Sequence, residues 1–165
     1  MFIIDVIKKE EAKGELKLLY KMIEKSLGFV PAHFELFATI DVEAMQEFVL
    51  YNQKILSHER IDKNLLPYLR LEIASRECRN YCVAFNTQMI AKLEKNGVVQ
   101  HSQEQKLLLQ KVLKGIYETE LFDAEDLQEL EAEGFTPKDY FDLLSYATNF
   151  MAKSKMIEVY TKKAD

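Results

Sequence analysis

Apolar positions recur at helical spacing along almost the whole chain. Ala12, Leu16, Leu19, Ile23 and Leu27 form the stripe of one amphipathic helix. Gly28 ends it, and a shorter helix follows from near Pro31, since proline suits a first helical turn. Asp41 reads as the N-cap of a helix that runs to about Ser57. Ile61-Asp62 opens the next, with Leu65, Leu66, Leu69, Ile73 and Ala74 inward. Pro67 falls inside its first turns and moves the expected start downstream. The pattern resets between Cys78 and Asn80, and Tyr81 to Leu93 gives a further helix, closed by Asn96-Gly97.

Ser102 and Gln105 have the spacing of a capping box, and Leu108, Val112 and Ile116 mark the stripe behind them. A short acidic helix is expected from Ala124 to Glu133, stopped by Gly134. Thr136-Pro137 opens the last helix, with Tyr140, Leu144, Ala147 and Met151 facing in. No segment alternates with the period of a strand. The expected fold is all-α, a single bundle of about seven or eight helices over residues 1–165.

Composition agrees. The 165 residues are 48% hydrophobic and 30% charged, which suits one globular domain, and 5 Gly with 3 Pro are too few for an all-β chain. A net charge of -5 gives no basic footprint, so no nucleic acid is expected as a partner. The longest stretch without a charged residue, Asn80 to Ala91, is too short to span a bilayer, and no membrane association is expected. The N-terminus lacks a basic segment ahead of an apolar one, so no signal peptide is expected, and two cysteines make no disulfide scaffold. The expected address is the reducing cytoplasm.

Little of the chain has the spacing of known chemistry. His33, His58 and His101 lie far apart, and no metal site is expected. Each of the five glycines stands alone, so there is no phosphate-cradling loop and no cofactor is expected. Glu118 to Glu133 carries acidic residues without one Lys or Arg and reads as a solvated acidic face. Met45, Met89, Met151 and Met156 read as gap-filling core. Cys78 and Cys82 are the only cysteines, four apart, at the point where the helical pattern resets. A thiol at a helix N-terminus feels unpaired N–H groups that lower its pKa, and Arg79 would add to that. The residues leave a second reading open, in which both are small buried apolar side chains.

The stretch from Leu65 to Thr87, with Tyr81-Cys82-Val83-Ala84-Phe85 at its centre, resembles the signature of the alkylhydroperoxidase D and carboxymuconolactone decarboxylase superfamily. Leu27-Gly28-Phe29-Val30-Pro31 resembles the turn that opens the family domain. Asp139-Tyr140-Phe141-Asp142 to Asn149-Phe150-Met151 resembles the closing helix of the peroxidase-related branch. The resemblance covers about residues 28–151, with residues 1–27 as a preceding N-terminal helix.

Redox members of this superfamily resemble Glu-x11-Cys-x2-Cys-x3-His. The second Cys attacks hydroperoxide, the first resolves it as a disulfide, and Glu and His relay protons. Setting Cys82 on the second Cys puts Arg79 where the first should be, Asn86 at the His and Pro67 at the Glu. Cys78 lies one residue outside the family position. On a regular helix, side chains four apart have Cβ atoms about 5–6 Å apart, whereas a disulfide needs about 3.5–4.5 Å. A bridge would therefore need a bend near Arg79 and Asn80. Proton transfer would fall to Glu72, Glu77 or water, with Arg79 and Asn86 as tuning residues.

The resemblance thus implies a divergent thiol oxidoreductase, weak in peroxidase activity, that reduces peroxide or disulfide through Cys82 with Cys78 as resolving thiol. Alternatives are a redox-silent helical binding or assembly protein, and a carboxymuconolactone decarboxylase-like enzyme acting on a small molecule. It also implies a homo-oligomer, at least a dimer. Restoring the family residue by Asn86→His is expected to raise the rate.

Overall fold

The computed structural model describes residues 2–97 and 101–162. The chain is all-α: α1 Gly14–Leu27, α2 Ala32–Ile40, α3 Val42–Leu56, α4 Leu66–Arg76, α5 Asn80–Lys95, α6 Gln103–Tyr117, α7 Ala124–Ala132 and α8 Pro137–Tyr160. Short 3₁₀ turns at Lys63–Leu65 and Thr119–Leu121 precede α4 and α7. Among the described residues there is no sheet, and Phe2 and Thr161 form an isolated antiparallel bridge.

Two compact units make up the chain, one from residues up to Asn52 together with those from Val159 on, the other Gln53–Glu158. In the first, Gly28 closes α1 in the left-handed conformation and returns its N–H to Glu24 O. Asp41 caps α3 through Ala44 N at 3.1 Å. Helix α2 is buried on nearly every side, from His33 to Ala38. Its one buried carboxylate, Glu35, is met by Lys8 Nζ at 2.8 Å.

The second unit holds both cysteines. Asp62 caps the 3₁₀ turn by accepting from Asn64 N, and α4 proper begins at Leu66 with Pro67 in its first turn. There the ring removes no helical hydrogen bond, which explains the downstream start. Leu65, Leu66, Leu69, Ile73 and Ala74 are all buried, and α4 packs against α5.

Three expectations change in detail. Ser102 Oγ accepts from Gln105 N, but the Gln105 side chain turns away to Arg60 O and Asp62 N, so the box is half made. Complete boxes are made at α7, where Asp123 pairs with Asp126, and at α8, where Thr136 pairs with Asp139, whose carboxylate accepts from Thr136 N at 2.7 Å. On α8 the buried stripe is Tyr140, Leu143, Tyr146, Ala147, Phe150, Ser154 and Ile157; Leu144 and Met151 lie at its margin. The acidic segment is not wholly solvated. Asp126 is buried and takes Lys111 and Lys114 from α6 at 2.6 and 2.7 Å.

Candidate functional site

Helix α4 ends at Arg76, with Glu77 as its C-cap and Cys78 just beyond. Cys78 N donates to Ser75 O and Arg79 N to Ala74 O, the paired bonds of a Schellman cap. The residue at the left-handed position of such a cap is usually glycine, and here it is Cys78 with φ 54, the only non-glycine with positive φ among the described residues. Cys78 is exposed. Arg79 then caps α5, which starts at Asn80, and Cys82 falls in its first turn. The two cysteines thus span an interhelical turn rather than one regular helix, so the helical Cβ separation does not apply to them. Both thiols are free.

Cys82 is 3% exposed. Burial pushes its thiol from an ordinary 9.0 up to about 12, and the negative charge of Glu158 acts the same way; the Arg70 and Arg79 guanidiniums pull it down. The expectation of a lowered pKa is thereby reversed. Loss of hydration for the thiolate outweighs the helix end and two cations together.

Asn86, one turn beyond Cys82, is fully buried. Its Nδ2 donates to Cys82 O at 2.8 Å, and its Oδ1 accepts from Arg70 Nε at 2.7 Å. Arg70 Nη1 donates to Tyr146 Oη at 2.7 Å, which ties α4, α5 and α8 together. Both ends of the amide are therefore committed, and Asn86 acts as a rivet rather than a proton carrier.

Arg79 donates to Glu77 Oε2 at 3.3 Å. Glu77 also acts on Tyr117, raised to about 12 chiefly by burial, and Arg76 lies 5.0 Å from that ring's centroid. Glu72 is exposed and its nearest cation is Arg76 at 3.9 Å. The structure therefore gathers Cys82, Arg79 and Asn86 in one place, sets Cys78 across the turn, and leaves Glu72 outside. Three residues absent from the sequence reading complete the group: Arg70, Tyr146 and Glu158. Arg70 had left a signal, since it interrupts the apolar stripe of Leu66, Ile73 and Ala74.

Among the described residues no group of three His, Cys, Asp or Glu could hold a metal ion. His58 lies 3.5 Å from Asp139 and 3.6 Å from Asp142, His101 lies beside Asp62 and Tyr68, and His33 beside Phe34 and Phe48. No helix of the described residues is long and apolar enough to cross a membrane.

This is the fold of the alkylhydroperoxidase D-like proteins. An uncharacterized peroxidase-related protein from Silicibacter sp. TM1040 superposes with a TM-score of 0.75 at 17% identity, over 99% of this chain and 92% of that one. An alkylhydroperoxidase AhpD core from Ralstonia eutropha JMP134, also a peroxidase-related protein, gives 0.77 at 17% identity, over 98% and 91%. No protein-family model matches the sequence, and no curated protein matches it.

Proposed function

We propose that the protein is a slow thiol oxidoreductase of the alkylhydroperoxidase type. Cys82 is oxidised by a hydroperoxide, and Cys78 resolves the sulfenic acid as an intramolecular disulfide that an external dithiol reduces. The observation that carries this reading is the placement of Cys82: enclosed in the first turn of α5, under the charges of Arg70, Arg79 and Glu158, with a second, exposed thiol across the turn. The peroxidase-related character of the two similar structures supports it.

A thiol with a pKa of about 12 holds about one molecule in 100,000 as thiolate at pH 7. Turnover is therefore slow unless a neighbouring group takes the proton. The same burial favours the second reading, a redox-silent helical protein in which Cys82 is core. Mass spectrometry after exposure to an alkyl hydroperoxide separates the two. Oxidation is expected to give a Cys78–Cys82 bridge in the wild type and a sulfenic acid at Cys82 in Cys78→Ser. Cys82→Ser should abolish peroxide consumption. An unmodified Cys82 in the wild type and in Cys78→Ser would establish the redox-silent reading instead.

A further inference from the structure

The two cysteines stand in opposite surroundings: Cys82 is enclosed and Cys78 is open to solvent. A disulfide brings its Cβ atoms to about 3.5–4.5 Å, so the two sulfurs must come to share one environment and one end of the turn has to give. Their hydrogen bonds differ in the same sense. On the Cys82 side, Asn86 Nδ2 donates to Cys82 O at 2.8 Å from a fully buried position. Arg70 Nε holds Asn86 at 2.7 Å and Arg70 Nη1 holds Tyr146 on α8 at 2.7 Å. Drawing Cys82 outward would break that chain and strand buried polar groups. The Cys78 side is held less firmly. Its N–H reaches Ser75 O at 3.3 Å, the longer of the two cap bonds, and its φ of 54 disfavours any side chain. Its chain neighbours Glu77 and Arg79 pair across it at 3.3 Å, and one such pair is a weak brace.

We propose that the turn between α4 and α5 is a redox-operated switch: when Cys78 bonds to Cys82, the cap of α4 opens and the Glu77–Arg79 pair parts, while α5 keeps its place. The proposal rests on the reading that Cys78 resolves an oxidised Cys82. Cys78 Sγ attacks the sulfenic sulfur of Cys82, the S–S bond forms and the S–O bond breaks. The hydroxide leaves as water with the proton of Cys78. Cys78 gives up its left-handed conformation on the way, so relief of that strain works in favour of closure. A glycine, usual at this position, would hold the cap without strain and could close nothing. The oxidised protein thus carries a turn of different shape, with Cys78 withdrawn and the charges of Glu77 and Arg79 parted.

The test compares amide hydrogen exchange, read by NMR, in the full-length protein before and after oxidation by an alkyl hydroperoxide, with mass spectrometry to count the bridge. Diamide, which takes up the two thiol hydrogens itself, is a second route to the same bridge. Bridging is expected to lower the protection of the Arg79 amide, bonded to Ala74 O at 2.8 Å in the reduced protein, by about tenfold or more. The side-chain amide of Asn86, which reports on Cys82, should exchange as slowly as before. Glu77→Gln, which removes the brace, should close the bridge about two- to fivefold faster. A bridge that left Arg79 protected, or that released Asn86 instead, would overturn the switch and leave the thiol chemistry standing. Equal closure rates with and without the Glu77 carboxylate would overturn it too. No bridge after hydroperoxide would overturn the functional reading, and the diamide-bridged protein would still decide the switch. No bridge by diamide either would overturn both.

Discussion

A left-handed backbone conformation costs an L-residue about 1–2 kcal/mol, and Cys78 carries it where glycine would not. Cys78→Gly gives back part of that through the greater freedom of the unfolded chain, so a net gain of about 0.5–1 kcal/mol in stability is expected from denaturant melts. The same substitution should stop disulfide closure, which would mark Cys78 as kept for its sulfur. Asn86 requires a different argument. Its two amide ends answer a carbonyl and a guanidinium at once, in a fully buried position. Asn86→His, expected from sequence to raise activity, cannot reproduce both bonds with a larger ring. It should instead lower stability by about 1–3 kcal/mol without a gain in peroxide turnover.

Helix α6 meets α8 at Gly115, where an added Cβ would overlap Tyr140 Oη while Cζ lies at 3.5 Å. Propensity alone favours alanine in a helix by about 1 kcal/mol, so Gly115→Ala poses packing against propensity. We expect packing to win, with stability lowered by about 1 kcal/mol or more, and Gly115→Ala/Tyr140→Phe to recover it. A double-mutant cycle read by thermal melts decides the point. Element boundaries were legible in the sequence wherever a side chain or a glycine fixed them locally, as at Gly28, Asp41 and Thr136. Convergence was not. Arg70 finds Asn86 sixteen residues on and Tyr146 seventy-six on, separations at which helical periodicity carries no information. Asp126 shows the same limit, for the acidic run revealed nothing of the lysines that enclose it. Lys111 and Lys114, three apart on one face of α6, were the available sign.

For the whole molecule, buried ionisable groups define a window of pH. Lysines, backbone N–H groups and caps hold Asp126, Asp139 and Asp142 below the ordinary carboxylate value of 3.8 against the opposing effect of burial. Their contribution is whole above that value and is lost as pH falls through the lowered ones. Burial raises Cys82 from 9.0, and Tyr20, Tyr117 and Tyr140 from 10.0, to about 12. What these four add is whole below 9.0 and is lost as pH climbs toward 12. Thermal melts should therefore be flat from about pH 5 to 8.5, and Cys82→Ser should move the alkaline onset from near 9 to near 10. Self-association is proposed as well, since Leu18 and Met22 on α1 and Phe141 on α8 are more than half exposed. Light scattering should return a multiple of 19.3 kDa, and the single-chain mass would retire that proposal. The turn between Cys78 and Cys82 also bears on the redox poise of the folded protein. A bridge there closes a loop of five residues, which removes about 2 kcal/mol of chain entropy from the unfolded state. On that ground folding can lower the reduction potential of the pair by no more than about 45 mV, so a common dithiol buffer should reopen the oxidised protein with its helices intact.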